Sequence, residues 1–144
     1  MNIPDVNVLL NAYDRDSKFH KAIARWWEEV LGGPAIVGLP WVSILGFIRL
    51  ITNPRIYASP TTPSQAIRVA RSWLAQPNVE IVSPGKRHAD IFFGLLESTG
   101  VAGNLTTDAH LAALAIEHGA QLASTDNDFA RFPKLRWFNP AVRR

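Results

Sequence analysis

The stretch 106-TTDAHLAALAIEHGAQLASTDNDF-129 carries a complete packing unit in a few dozen residues. Leu111, Leu114, Ala115 and His118 step around one face at helical spacing, and Thr107 or Asp108 stands where a cap belongs. Gly119 occupies the position of a C′ glycine. The run 121-QLAST-125 follows at once as a strand, then Asp126, then a short helical turn over 128-DFARF-132 with Asp128 as its cap. A helix passing into a strand through a single glycine is the unit of layered α/β folds. It also leaves two aspartates at a strand end, where either a turn or a metal would account for them.

Upstream, the same alternation recurs. A very short strand in 1-MNIPDVNVLL-10 runs into Asp5, with Pro4 removing one ladder donor, and then turns into a helix. The spacing of Phe19, Ile23, Trp26 or Trp27 and Val30 predicts an amphipathic helix over 17–33, with Ser17 as its N-cap and Gly32-Gly33 as its stop. A short buried strand is expected at 35–38 and an apolar helix at 41–52, ended by Asn53-Pro54. A Pro, Ser and Thr-rich loop leads to a surface helix at 64–76, a strand at 78–83 and a helix at 86–100. With no repeat, low-complexity tract or linker, residues 1–144 read as one α/β domain, a mainly parallel central sheet flanked by helices.

Composition supports a folded chain: 47% of residues are hydrophobic, with five Trp and seven Phe. The formal charge is +3, unevenly spread. No acid occurs between Val30 and Val79, where Arg49, Arg55, Arg68 and Arg71 lie, and after Asp128 come Arg131, Lys134, Arg136, Arg143 and Arg144 without one. Such basic stretches suit solvated helix faces or a polyanionic partner such as RNA. The absence of cysteine excludes disulfides, thiolate zinc sites and cysteine nucleophiles, and fits a cytoplasmic location. No uninterrupted apolar run reaches membrane-spanning length, so no membrane association is expected.

In open parallel sheets, ligands sit at the carboxyl ends of the strands. Asp5, Asp108, Asp126 and Asp128 all fall at such ends or at a helix start. Gathered carboxylates repel unless a proton or cation joins them, and an all-oxygen set favours Mg²⁺ or Mn²⁺. The chemistry this suggests is phosphodiester hydrolysis. Each aspartate also has an ordinary structural role as turn or cap. Asn7 is a candidate partner for a carboxylate or a bound water, and Thr107, Ser124 and Thr125 are further candidates. His110 is expected to line the first turn of its helix rather than transfer protons. Arg49 and Arg55 are candidate RNA contacts, with Arg15, Lys18, Lys21, Lys86 and Arg87 behind them. Trp41 is expected in the core.

The set 5-DVNVLL-10, 107-TDAHLAALAIEHGA-120 and 124-STDNDFARFPKLRWFNP-140, with 39-LPWVSILGFIRLITNPR-55 between, resembles the PIN domain, specifically VapC toxins of bacterial toxin–antitoxin pairs. No single motif is strong, whereas the ordered set is specific and spans nearly the whole chain. The resemblance implies a Mg²⁺- or Mn²⁺-dependent endoribonuclease that inhibits translation, held by a VapB antitoxin and forming a homodimer, with an apolar surface around Trp73 and Phe92. It matches the first, third and fourth acidic positions of the family to Asp5, Asp108 and Asp126, and an additional aspartate to Asp128. The second acidic position departs: VapC proteins carry a glutamate in the helix that reads 41-WVSILGFIRLIT-52 here, and Gly46 is a candidate occupant. Three consequences are open: the remaining aspartates suffice with water, another acid such as Asp14 reaches in, or the chain is a weakened or inactive RNA- or antitoxin-binding module. The strand before Asp5 is also abbreviated, which an upstream start would explain. A D-x-N after a first strand is shared with nucleophilic aspartates of phosphohydrolases, but the C-terminal acids fit the PIN pattern better.

Overall fold

The computed structural model describes residues 1–142; Arg143 and Arg144, part of the basic C-terminal stretch, lie outside the described residues. Five strands, β1 (Asn2–Pro4), β2 (Val37–Pro40), β3 (Val79–Val82), β4 (Gln121–Ala123) and β5 (Trp137–Phe138), form one sheet in the order β3-β2-β1-β4-β5. Every pairing is parallel, with Asn2, Ile3 and Pro4 opposite Gln121, Leu122 and Ala123. The expected mainly parallel sheet is therefore observed, and it gains an edge strand, β5, that the sequence reading lacked.

Among the described residues six α-helices cover it: α1 (Val6–Tyr13), α2 (His20–Leu31), α3 (Trp41–Ile51), α4 (Pro63–Leu74), α5 (His88–Thr99) and α6 (Thr106–Glu117). Strand alternation divides the core. Ile3, Val82 and Leu122 face Leu95 of α5 and Leu111 and Leu114 of α6. Val37 and Leu39 face Leu9, Trp27, Ile44, Phe47 and Trp73, from α1 to α4. Burial of these side chains, roughly 2 kcal/mol for each large one, pins the strand register.

Pro4 and Pro40 close their strands at the carboxyl edge, where a missing N–H ends the ladder. The chain then turns directly into α1 and α3, and Ser43 Oγ donates to the Pro4 carbonyl at 2.8 Å, clamping α3 to the end of β1.

Several expected caps are corrected. Ser17 does not cap α2: the helix begins three residues later, and Ser17 Oγ accepts from the Phe19 N–H at 3.2 Å in the preceding turn. Thr62, unforeseen, caps α4 through a reciprocal capping box with Gln65. Neither Thr107 nor Asp108 caps α6; a 3₁₀ turn over Gly103–Leu105 leads straight into the helix, so both lie within its first turn. Gly119, with φ +63°, is the expected C′ glycine. Trp41 is 53% exposed, not core, whereas Trp73 is buried against Trp27 and Phe47 and offers no dimer surface. Phe92 is half-buried against the α5–α6 core.

Candidate active site

The carboxyl ends of β1 and β4 lie side by side, and Asp5 and Ser124 are the first residues past them. Asp5 is buried and hydrogen-bonded at both oxygens: Oδ1 accepts from the Val6 N–H at 2.7 Å, and Oδ2 accepts from Ser124 Oγ at 2.8 Å and Asn7 Nδ2 at 3.1 Å. A carboxylate has about four acceptor positions, so Oδ1 keeps one open. Burial raises the Asp5 pKa most, the hydrogen bonds from Ser124, Val6 and Asn7 oppose it, and the charge of Asp126 adds to it.

Asn7 ties the two strand ends together. Its Nδ2 donates to Ser124 Oγ at 3.2 Å as well as to Asp5, and its Oδ1 accepts from the Thr125 N–H at 3.2 Å. Ser124 Oγ also accepts from the Asp126 N–H at 3.0 Å. Asn7 thus braces the Asp5 carboxylate against the end of β4. Thr125 enters through its backbone alone, while the hydroxyl that organises the site belongs to Ser124. Burial is what marks Ser124 out, and a single sequence carries no direct sign of it.

Above this scaffold stand Asp108, Asp126 and Asp128, each offering an oxygen within 4.8 Å of the others. Asp108 comes from the first turn of α6, where the helix N-terminus favours negative charge. Its pKa is nevertheless pushed up to about 6, chiefly by burial, then by the charges of Asp5, Asp126 and Asp128. The cap of the following turn is Asp126 rather than Asp128, and both remain in the carboxylate cluster. Asp126 Oδ1 accepts from the Asp128 N–H at 2.8 Å and caps the 3₁₀ turn Asn127–Arg131, leaving Oδ2 for a ligand. Asp128 is no cap; it is exposed, and Arg131 Nε approaches its Oδ1 at 3.9 Å. That pair, open to water, compensates little. Three crowded carboxylates with one loose cation beside them, and an all-oxygen donor set, fit a hard divalent cation. Asp5 is not part of that set of three; it stands beneath it, coupled by charge to Asp108 and Asp126.

Gly46, the candidate occupant of the absent acidic position, has no room for a side chain. Gly46 is buried in α3, and a Cβ there would lie 2.5 Å from Val6 Cγ2. Val6, the residue after Asp5, fills the space that a side chain at 46 would need. Asp14 does not substitute: it is the C-cap of α1, about 13 Å along the helix from Asp5, and lines a separate groove with Tyr57. Arg49 and Arg55 are exposed, two turns into α3 and in the loop beyond it. His110, the fifth residue of α6, faces α5, with its Nδ1 3.0 Å from His88 Nε2.

The comparisons agree with this architecture. The family model for the PIN domain matches residues 3–135. Ribonuclease VapC33 of Mycobacterium tuberculosis is 43% identical, covering 97% of this chain and 98% of its own length. Ribonuclease VapC37 of the same organism is 44% identical over 97% of each. Among solved structures, VapBC2 from Rickettsia felis bound to a promoter DNA fragment matches with a TM-score of 0.71 at 18% identity, over 96% of this chain and 97% of that one. VapC20 of Mycobacterium tuberculosis matches with a TM-score of 0.65 at 17% identity, over 94% and 99%. With the site at the carboxyl edge of a parallel sheet and near-full-length relatives above 40% identity, the chain belongs to the PIN-domain family, in its VapC branch.

Proposed function

We propose that this protein is a metal-dependent endoribonuclease and the toxin of a type II toxin–antitoxin pair, acting on RNA in the cytoplasm to inhibit translation. The observation that carries the reading is the convergence of Asp108, Asp126 and Asp128 above a buried, hydrogen-bonded Asp5. Asp108, Asp126 and Asp128 would hold a Mg²⁺ or Mn²⁺ ion, with Asp5 coupled to them by charge. Such an ion supplies Lewis acidity for water activation and charge compensation at a phosphodiester. Asn7 and Ser124 hold Asp5 in one rotamer, and the Ser124–Asp126 N–H bond fixes the loop that aims Asp126. Burial and the neighbouring carboxylates raise the Asp108 pKa to about 6, so a bound cation would compete with a proton there. A Mg²⁺ site retains several waters, so three or four carboxylates suffice without the fifth acid that Gly46 lacks.

Cleavage of a structured RNA by purified protein, with and without added Mg²⁺ or Mn²⁺, tests this. Wild type should cut only with metal, and Asp5→Ala and Asp126→Ala should each lose cutting. Metal-independent cleavage that survives both substitutions overturns the mechanism.

A second reading, a PIN-fold module that binds RNA or antitoxin without cutting, is favoured by one observation: Val6 blocks the second acidic position. Wild type that binds RNA yet never cuts with either metal would support it. The relatives' names and the VapBC complexes support a VapB-type antitoxin as partner. Co-purification with the product of an adjacent antitoxin gene tests that. Arg49 and Arg55 remain candidate RNA contacts, and the exposed α3 stripe of Trp41 and Leu45 is the surface proposed for a homodimer.

A further inference from the structure

A groove of about 610 Å³ runs between α2 and the segment that follows β5. Lys21 and Arg25, four residues apart on α2, stand in one row on its helix-side wall, and Lys18 joins the lining from the turn just before the helix. All three are exposed, and among the described residues none makes an ion pair. Glu29, one turn beyond Arg25, is the only acid in the lining. On the floor, Trp26 meets Phe138 edge to face, with ring centroids 5.4 Å apart.

The groove adjoins the carboxylate cluster. The Ser124 N–H donates to the Phe138 carbonyl at 3.0 Å, and Ser124 is the residue whose hydroxyl holds Asp5. Because β4 and β5 are parallel, the chain leaves β5 at the same sheet edge that carries Asp5 and Asp126. A polyanion approaching four carboxylates is repelled by them, so an adjacent row of cations is needed to bring it in. Here Lys21 and Arg25 stand about one helical turn apart, roughly 5.4 Å, with Lys18 just ahead of the helix. A regular row suits a repeating phosphate backbone better than a peptide, whose acids follow no fixed repeat, and aromatic rings beside such a row are the platform of single-strand binding.

We propose that this groove binds single-stranded RNA where it extends from the carboxylate cluster. Phosphates lie along Lys18, Lys21 and Arg25, and bases rest against Trp26 and Phe138. The assignment rests on the ribonuclease reading for its direction, and its test is separable from that reading.

The test is fluorescence anisotropy of a labelled single-stranded oligoribonucleotide of about 12 nucleotides, titrated in EDTA at several salt concentrations. Each single-strand phosphate contact contributes about 0.7 to the slope of log K against log salt, so Lys21→Ala/Arg25→Ala should lower the slope by about 1.4 and the affinity by about tenfold. Arg68→Ala/Arg71→Ala on α4 removes the same charge elsewhere and should leave the slope unchanged. Lys21→Arg/Arg25→Lys, which keeps the charge, should behave as wild type. An equal loss in the α4 pair, or an unchanged slope in the groove pair, overturns the proposal. So does a groove pair that loses only an oligoglutamate peptide, since the groove would then take an acidic protein segment. Because binding is read in EDTA, a wild type that fails to cut with Mg²⁺ sinks the nuclease reading while the slopes still decide the groove.

Discussion

Ser124 Oγ uses its one donor and both acceptor positions, on Asp5, Asn7 and the Asp126 N–H. Ser124→Ala therefore leaves a buried carboxylate oxygen and a backbone N–H short of partners. The expected cost is about 1–3 kcal/mol, seen as a fall of several degrees in Tm, with metal affinity about tenfold or more weaker by calorimetric titration. An unchanged metal affinity would refute the supporting role. Asp108 gives a pH signature. Its folded pKa of about 6 lies above the ordinary 3.8, so the native state binds more protons than the unfolded state across that interval. Metal-free protein should accordingly lose stability as pH rises from about 4 to about 6 and then level off, by about 1 kcal/mol after allowance for its partial exposure. Asp108→Asn should flatten this dependence in EDTA, and saturating Mg²⁺ should stabilise wild type more at pH 7 than at pH 5. A wild type and Asp108→Asn pair with parallel pH profiles would rule this out. These aspartates were legible because strand ends are legible. Which of Asp126 and Asp128 caps the turn was not, since either residue type at either position offers the same oxygen.

At the scale of elements, α3 and α1 meet at Gly46 and Val6. The β-branched Val6 has little freedom at χ1, so Gly46→Glu should destabilise by about 1–3 kcal/mol and give no gain in cleavage. Adding Val6→Ala should recover part of that stability. Only in the double variant can a carboxylate at 46 strengthen metal binding, measured by the same titration. Tm values that are equal for wild type and Gly46→Glu would show that Val6 yields. The helices were readable from their 3.6-residue period, and α3 and α6 fall within a residue or two of expectation. Caps were less so: three-residue shifts separate Ser17 from the start of α2, because a serine can close a local turn as readily as a helix. β5 escaped notice because two residues, Trp137 and Phe138, cannot display a period; only the neighbouring β4 makes them a strand. In α3 the nearly continuous apolar run from Trp41 to Ile51 hid which face points outward.

That outward face bears on the whole molecule. α3 buries Ile44, Phe47 and Ile51 against the sheet and leaves Trp41 and Leu45, one turn apart, 53% and 62% exposed. Two large apolar side chains on consecutive turns, with the exposed Arg49 on the next, make a stripe rather than the scattered exposure normal for a surface. In the proposed homodimer this stripe would meet its own copy about a two-fold axis, each α3 against the other. Leu45→Asp places a charge at the centre of such a contact. It lies outside the core and outside the carboxylate cluster, so the fold and metal binding should survive it. Wild type should sediment as a dimer at micromolar concentration, and Leu45→Asp as a monomer with Tm little changed. Trp73→Ala gives the contrast, because its ring packs on Trp27 and Phe47: about 3–5 kcal/mol of stability should be lost from a core contact. A monomeric wild type would leave the α3 stripe without the second copy assigned to it.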